Sequence, residues 1–281
     1  MKVCGFTIVR NAIKYGYPVK ESISSVLPLC DKFIVAVGKS EDDTLELVNS
    51  ICPEKIEILE TIWDDSLREG GKVLAIETNK AFDAISAEFD WCIYIQADEV
   101  LHQNDHPVIK EAMMKYIRDG NVEGLLFKYL HFWGTYNYIG TSRDWYRHEI
   151  RIIRNNKDIR SYKDAQGFRK NGKKLNVKLI DACVYHYGWV KPPEVLKSKV
   201  KNFLSLYNSG DQLEQKAHEF ENFDYSQVGS VALFNGSHPE YIEDLIHNLN
   251  WTVQIDTSKI RLSVKDYLLY LYEKITGKRL F

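Results

Sequence analysis

The first 130 residues alternate between two hydrophobic rhythms. Short apolar runs, "VCGFTIV" from residue 3, "KFIVAVG" from 32 and "KIEILET" from 55, read as buried strands. Between the first two, Val19, Ile23, Val26 and Leu27 share one face of a helix. "SEDDTLELVNSIC" places Asp43 as an N-cap with Glu46 three residues later, and Leu45, Val48 and Cys52 on one side. Residues 71–89 predict a longer helix with Ala75, Phe82, Ile85 and Phe89 inward, and the strand "CIYIQADEVL" (92–101) follows. Strand–helix alternation with apolar strands predicts a parallel sheet covered on both faces. Ligands bind such sheets beyond the carboxyl ends of the strands, where the strand order reverses. Asp98 and Glu99 stand at such an end.

From about residue 121 the pattern changes. "EGLLFKYLHFWG" and "HEIRIIRN" read as long strands with no crossover helix between them, which predicts mixed or antiparallel pairing. "LIDACVYHYGWV" is a further strand and carries His186. Pro192 and Pro193 then open a helix with Leu196, Val200, Phe203, Leu204 and Tyr207 on one face. The stretch "NSGDQLEQKAHEFENFDYSQVGS" (208–230) reads as the most loop-like. Near the end, Ser263 and Asp266 form a capping pattern, Val264, Leu268, Leu271 and Ile275 line one side, and Gly277 is a stop. The expected division is a catalytic domain over 1–190, with halves 1–120 and 121–190, and a helical extension over 191–281.

Composition narrows the class. A formal net charge of −2 over 281 residues provides no basic field for nucleic acid. Five cysteines with no CxxC pair suggest buried thiols in a reducing compartment. The start, "MKVCGFTIVRN", turns polar too soon for a signal peptide, and no apolar run approaches a membrane-spanning length. The expected location is the cytoplasm or the inner face of the membrane. Aromatic residues make up 12%, which suits either a cleft that stacks on flat or sugar-like ligands or an aromatic core.

"FTIVRNA", "VAVGKSEDDT", "IWDDS", "TNKAFDAISAEFDWCIYIQADEVL" and "RIIRN" occur in an order and spacing that resembles family-2-like glycosyltransferases of the GT-A fold, over roughly residues 3–190. The resemblance implies a Rossmann-like, mostly parallel α/β sheet with helices on both faces and a mixed acceptor-side sheet. It implies a metal-assisted, inverting transfer of a sugar from a nucleoside-diphosphate donor to a saccharide or glycoconjugate acceptor, with Mn²⁺ or Mg²⁺. The family's metal-binding D-x-D falls on Gln96-Ala97-Asp98. Gln96 can hydrogen-bond a ribose but supplies no charge to a cation, so the resemblance implies an altered metal site resting on Asp98. His186 is the late-ligand candidate, and His238 a weaker one. Either could equally be a structural histidine. Glu99 reads as support for the turn.

For the donor nucleotide the candidates are Val9, Arg10, Asn11, Asp42, Asp65, Lys72, Asn79 and Gln96, with Asp43 shared between that role and helix capping. Lys72 in "REGGK" lacks the form of a P-loop. The general base, a carboxylate in this family, is sought after residue 130: Asp144 first, then Asp164 and Glu149. Where relatives often carry a catalytic-side Glu, this chain has Gln166. A sugar-nucleotidyltransferase is disfavoured, because "IVRNAIKYGYP" is not a Gly-rich loop with Arg and Lys after the first strand. The alternative from another class is a sugar-nucleotide or glycan binder weakened in catalysis, which Gln96 and Gln166 favour. The C-terminal helix has two readings, packing on the domain or docking on acidic lipid through Lys274, Lys278 and Arg279.

Overall fold

The computed structural model describes residues 1–67, 69–208, 210–219 and 223–276. The first part runs β1 (Val3–Val9), α1 (Val19–Val26), β2 (Lys32–Gly38), α2 (Thr44–Asn49), β3 (Ile56–Thr61), α3 (Lys72–Asp83), β4 (Trp91–Tyr94), β5 (Glu99–Leu101) and α4 (His106–Tyr116). The middle is mostly strand: β6 (Gly124–Trp133), β7 (Thr135–Gly140), β8 (His148–Arg154), β9 (Ile159–Tyr162), β10 (Gly167–Lys170), β11 (Lys173–Lys174) and β12 (Val177–Trp189). Then come α5 (Pro193–Ser205), α6 (Gly210–Glu219), β13 (Val231–Leu233), α7 (Glu243–His247) and α8 (Val264–Thr276).

β3, β2, β1 and β4 lie side by side, all parallel, as their apolar runs require. β8 is antiparallel to β4, and β6 is antiparallel to β8. β12 runs parallel to β6 and pairs antiparallel with β5, while β7 and β13 extend the other end. This is the expected GT-A-type architecture, a parallel α/β half continued by a mixed sheet. The strand order reverses between β1 and β4, which is where such sheets bind ligands. β9, β10 and β11 form a separate antiparallel sheet.

Helices cover both faces. On one, Ile23 and Val26 of α1 and Ile109 and Met113 of α4 pack on Val35 and Ile93 of the sheet. On the other, Phe82 and Ile85 meet Phe6, Ile34 and Tyr94, with Phe168 of β10 joining them. Each such side chain removed from water contributes about 1.5–3 kcal/mol.

Four local expectations change. α3 stops at Asp83 although Ile85 and Phe89 stay buried. The Lys157 ammonium donates to the carbonyls of Phe82 and Ile85, and the Asn155 amide to those of Ser86 and Phe89, so the chain leaves the helix with its acceptors satisfied. Asp43 occupies the N-cap of α2 without a side-chain cap bond, and Asp42 Oδ1 instead accepts from Thr44 N at 3.1 Å. α6 forms inside the predicted loop, because "QLEQKA" consists of helix formers but carries too few apolar residues to show a period. The capping box of α8 forms, Asp266 N donating to Ser263 Oγ at 3.1 Å. Its apolar stripe nonetheless faces outward, with Val264 80%, Leu268 61% and Ile275 82% exposed. Buried Glu273 holds the helix instead, paired with Arg143 at 3.0 Å and Arg147 at 3.2 Å. Gly277, Lys278 and Arg279 lie outside the described residues, as does the Lys274 side chain. Among the described residues no helix is long and apolar enough to cross a membrane.

Candidate active site

A cavity of about 780 Å³ opens at the carboxyl ends of β1 and β4. Val9 and Arg10 border it where β1 ends, and Gln96 and Asp98 where the chain leaves β4. The lining also includes Asp144, Trp145 and Tyr146 between β7 and β8, and Asp164 and Gln166 between β9 and β10. α5 lies over it and contributes Lys199, Asn202 and Phe203. The segment after residue 190 therefore completes a cavity that the earlier strands begin.

Asp98 is the centre of the polar wall. Its Oδ2 accepts from the Lys199 ammonium at 2.9 Å, and its Oδ1 lies 3.7 Å from His186 Nε2. Burial alone would raise the Asp98 pKa, but the charge of Lys199 and the His186 contact hold it well below the usual carboxylate range. Lys199 also donates to the Gly188 carbonyl at 2.9 Å and packs over the Tyr17 ring. β12 passes close beneath this junction. A Cβ on Gly188 would stand 2.6 Å from both Asp98 Oδ2 and His186 Nε2.

The turn that presents Asp98 is fixed from below. Glu99 is 0% exposed and receives Arg151 Nε at 2.7 Å and an Arg151 terminal nitrogen at 2.5 Å, with the Tyr129 hydroxyl donating to it as well. Gln96 N also donates to Glu99, at 3.1 Å. Glu99 is thus the support of the turn and faces a guanidinium.

A divalent ion at Asp98 was the expectation, and the donor set can be tested against it. Asp98 Oδ1 and His186 Nε2 could share an ion, but the other carboxylate oxygen already holds an ammonium. Gln96 adds no charge and donates through Nε2 to the Ala165 carbonyl at 3.3 Å. Among the described residues, no three His, Cys, Asp or Glu side chains converge as metal ligands do. With Lys199 in place the protein offers a divalent ion one carboxylate oxygen and one imidazole, and no second carboxylate at position 96.

The remaining predicted residues divide. Arg10 lines the cavity, stacks over Trp63 at 4.5 Å and pairs with Asp65 at 2.9 Å, while Asp65 itself is not part of the lining. Asn11 is used structurally: its Oδ1 accepts from Glu41 N at 2.7 Å. Asp42 accepts from Lys14 N at 2.7 Å, and Asn79 Oδ1 from Ser161 N at 2.9 Å. Lys72 is exposed at the start of α3 and does not line the cavity. His238 packs among Phe132, Phe234 and Tyr187, apart from the cavity lining.

Of the three acids, Asp144 and Asp164 line the cavity and Glu149 does not. Glu149 is buried, 3.7 Å from Arg151, and burial pushes its pKa up to about 7 despite that neighbour. A carboxyl whose folded pKa is raised contributes stability that is complete below its unfolded pKa and is lost as pH rises through about 7. Glu149→Gln should flatten the fall in melting temperature between about pH 4.5 and 7. Parallel slopes for the two proteins would acquit Glu149.

Three polar residues at or beside the cavity were not singled out from sequence. Lys199 is one of several lysines on α5, but it lies three residues after Leu196 and so shares the inward stripe, which is the signal that could have found it. His131 alternates with Tyr129 and Trp133 on β6. Its Nε2 faces the Tyr146 carbonyl at 3.1 Å, so Nε2 carries the proton, and buried Nδ1 is left without a protein partner. Burial, with His186 adding to it, pushes its pKa down to about 2 and keeps it neutral. Lys191, buried against Tyr17, is lowered to about 7 by burial and by the Lys199 charge.

No protein-family model and no curated protein matches the chain. Among solved structures it is similar to S. aureus TarS (residues 1–349), at TM-score 0.40 and 14% identity, over 79% of this chain and 71% of that one. It is similar to 4-diphosphocytidyl-2C-methyl-D-erythritol synthase from Anaerococcus prevotii, at TM-score 0.40 and 8% identity, over 72% of this chain and 96% of that one. Glucosyl-3-phosphoglycerate synthase from Mycobacterium tuberculosis, in complex with Mn²⁺, uridine diphosphate and phosphoglyceric acid, aligns at TM-score 0.30 and 18% identity, over 46% of this chain and 43% of that one. Likenesses this faint carry no activity across.

Proposed function

We propose that the chain is an inverting glycosyltransferase that moves a sugar from a nucleoside-diphosphate donor to a hydroxyl of a saccharide or glycoconjugate. The observation that carries this reading is that one cavity gathers cationic side chains and carboxylates. Lys199, against Asp98, and Arg10 lie at the parallel strand ends, where a diphosphate is expected, and the carboxylates of Asp144 and Asp164 line the same cavity from the loops before β8 and β10. Breaking the anomeric bond places negative charge on the departing diphosphate, which cationic side chains stabilise. The attacking hydroxyl must lose a proton, which one of the lining carboxylates accepts. Attack from the side opposite the diphosphate inverts the anomeric centre. Val9, Arg10, Asp65 and Gln96 are the proposed donor contacts.

Incubating the protein with a panel of nucleoside-diphosphate sugars and measuring free nucleoside diphosphate tests this directly. Release above the blank supports the enzyme. Tight donor binding with no release, with or without simple saccharides, favours the alternative of a binding protein, for which Gln96 and Gln166 in the cavity speak. Failure to bind any of these donors removes the transferase and the sugar-nucleotide binder, and leaves only a glycan binder.

A peripheral contact with the inner membrane face would use the exposed stripe of α8. Vesicles containing acidic lipid should then sediment the protein, and Leu268→Asp should release it. Equal sedimentation of the two would take the stripe out of the contact.

A further inference from the structure

We infer that Lys199 takes the charge-neutralising place a divalent ion would hold at Asp98, so that the donor diphosphate is bound and released without a metal. This rests on the cavity being a nucleoside-diphosphate-sugar site. Asp98 Oδ2 and the Gly188 carbonyl hold the ammonium, each at 2.9 Å, and the Tyr17 ring lies 4.8 Å from it. An ammonium has three donors. The two protein acceptors leave one for a ligand in the cavity that Lys199 lines.

Charge count favours the same assignment. With an amide at Gln96 and Glu99 committed to Arg151, Asp98 is the one carboxylate left at this strand end. A single ammonium balances it, whereas a divalent ion would have to displace Lys199 or stand beside it against like-charge repulsion. Lys199 sits on α5, far along the chain from Asp98, so its position here depends on the helix docking over the cavity.

In the transfer, the bond from the anomeric carbon to the diphosphate oxygen breaks with both electrons staying on that oxygen. The acceptor oxygen forms the new bond to the anomeric carbon and gives its proton to a lining carboxylate, Asp144 in the present reading. Lys199 remains protonated throughout and meets the charge that builds on the diphosphate.

Calorimetry with uridine, guanosine, cytidine and thymidine diphosphates, each with EDTA and with Mn²⁺ or Mg²⁺, decides the matter. The nucleotide that binds should do so equally well in EDTA. Lys199→Ala should weaken it about tenfold or more, the loss of a charged hydrogen bond, while Lys199→Arg retains most of the affinity. Melting temperatures of the variants separate this loss from misfolding. Binding that vanishes in EDTA and returns with the ion overturns the inference and leaves the transferase reading standing. So does a folded Lys199→Ala protein with parental affinity in EDTA. If no nucleoside diphosphate binds under either condition, the transferase reading itself fails and this inference with it.

Discussion

Asp144→Asn is expected to lower turnover by about 100-fold or more, the range of general-base catalysis, and to leave nucleoside-diphosphate affinity nearly intact. Asp144 lines the cavity from the loop between β7 and β8. The Ser142 hydroxyl donates to its Oδ2 at 2.8 Å, which orients the carboxylate. The rival, Asp164, accepts from the Tyr207 hydroxyl at 2.8 Å. Its neighbours Lys163 and Ala165 hold φ of 55° and 62°, backbone that side-chain-bearing residues seldom adopt and that a functional turn can retain. The measurement is steady-state turnover on a working donor–acceptor pair beside calorimetry of the nucleotide. Turnover within a few-fold of the parent would clear Asp144, and Asp164→Asn then becomes the decisive variant.

The second large effect is on folding. Arg151→Met should cost about 3–5 kcal/mol, the usual consequence of breaking one side of a buried ion pair. Arg151 is 1% exposed, and its guanidinium grips Glu99 with two bonds. Without it Glu99 is a buried carboxyl with no cation beside it, and the turn that carries Gln96 and Asp98 loses its anchor. In a chain of this size the loss corresponds to a melting temperature lower by on the order of 10 °C. Glu99→Gln combined with Arg151→Met should recover part of it, because the stranded charge is gone. A fall of only a degree or two in the single variant would show that the pair is not what fixes the turn.

The parallel half was legible because each strand is a continuous apolar run and each intervening helix shows its stripe. Val19, Ile23 and Val26 are all buried where the spacing puts them. Asp98 and His186 were legible as strand-end polar residues, and the fold brings their side chains to 3.7 Å. What Asp98 faces was not legible. Lys199 is about a hundred residues away, and only the docking of α5 makes them partners. Arg151 is hidden for a similar reason, since "EIRIIR" shows an arginine in a strand but not the carboxylate across the sheet. Asn11, Asp42 and Asn79 show the reverse error. Polar residues at strand and helix ends invite a ligand reading, yet here they satisfy backbone donors that the turns leave open.

Gly188 turns one of these geometries into a rule about substitution. Because a Cβ there would sit 2.6 Å from both Asp98 Oδ2 and His186 Nε2, no side chain fits while that junction is intact. A library randomised at this position and selected for a stable fold alone could admit small residues by letting Asp98, His186 and Lys199 move apart. The same library selected for an occupied cavity should return glycine. Position 188 would then report, through one missing methyl group, whether the polar wall has kept its shape.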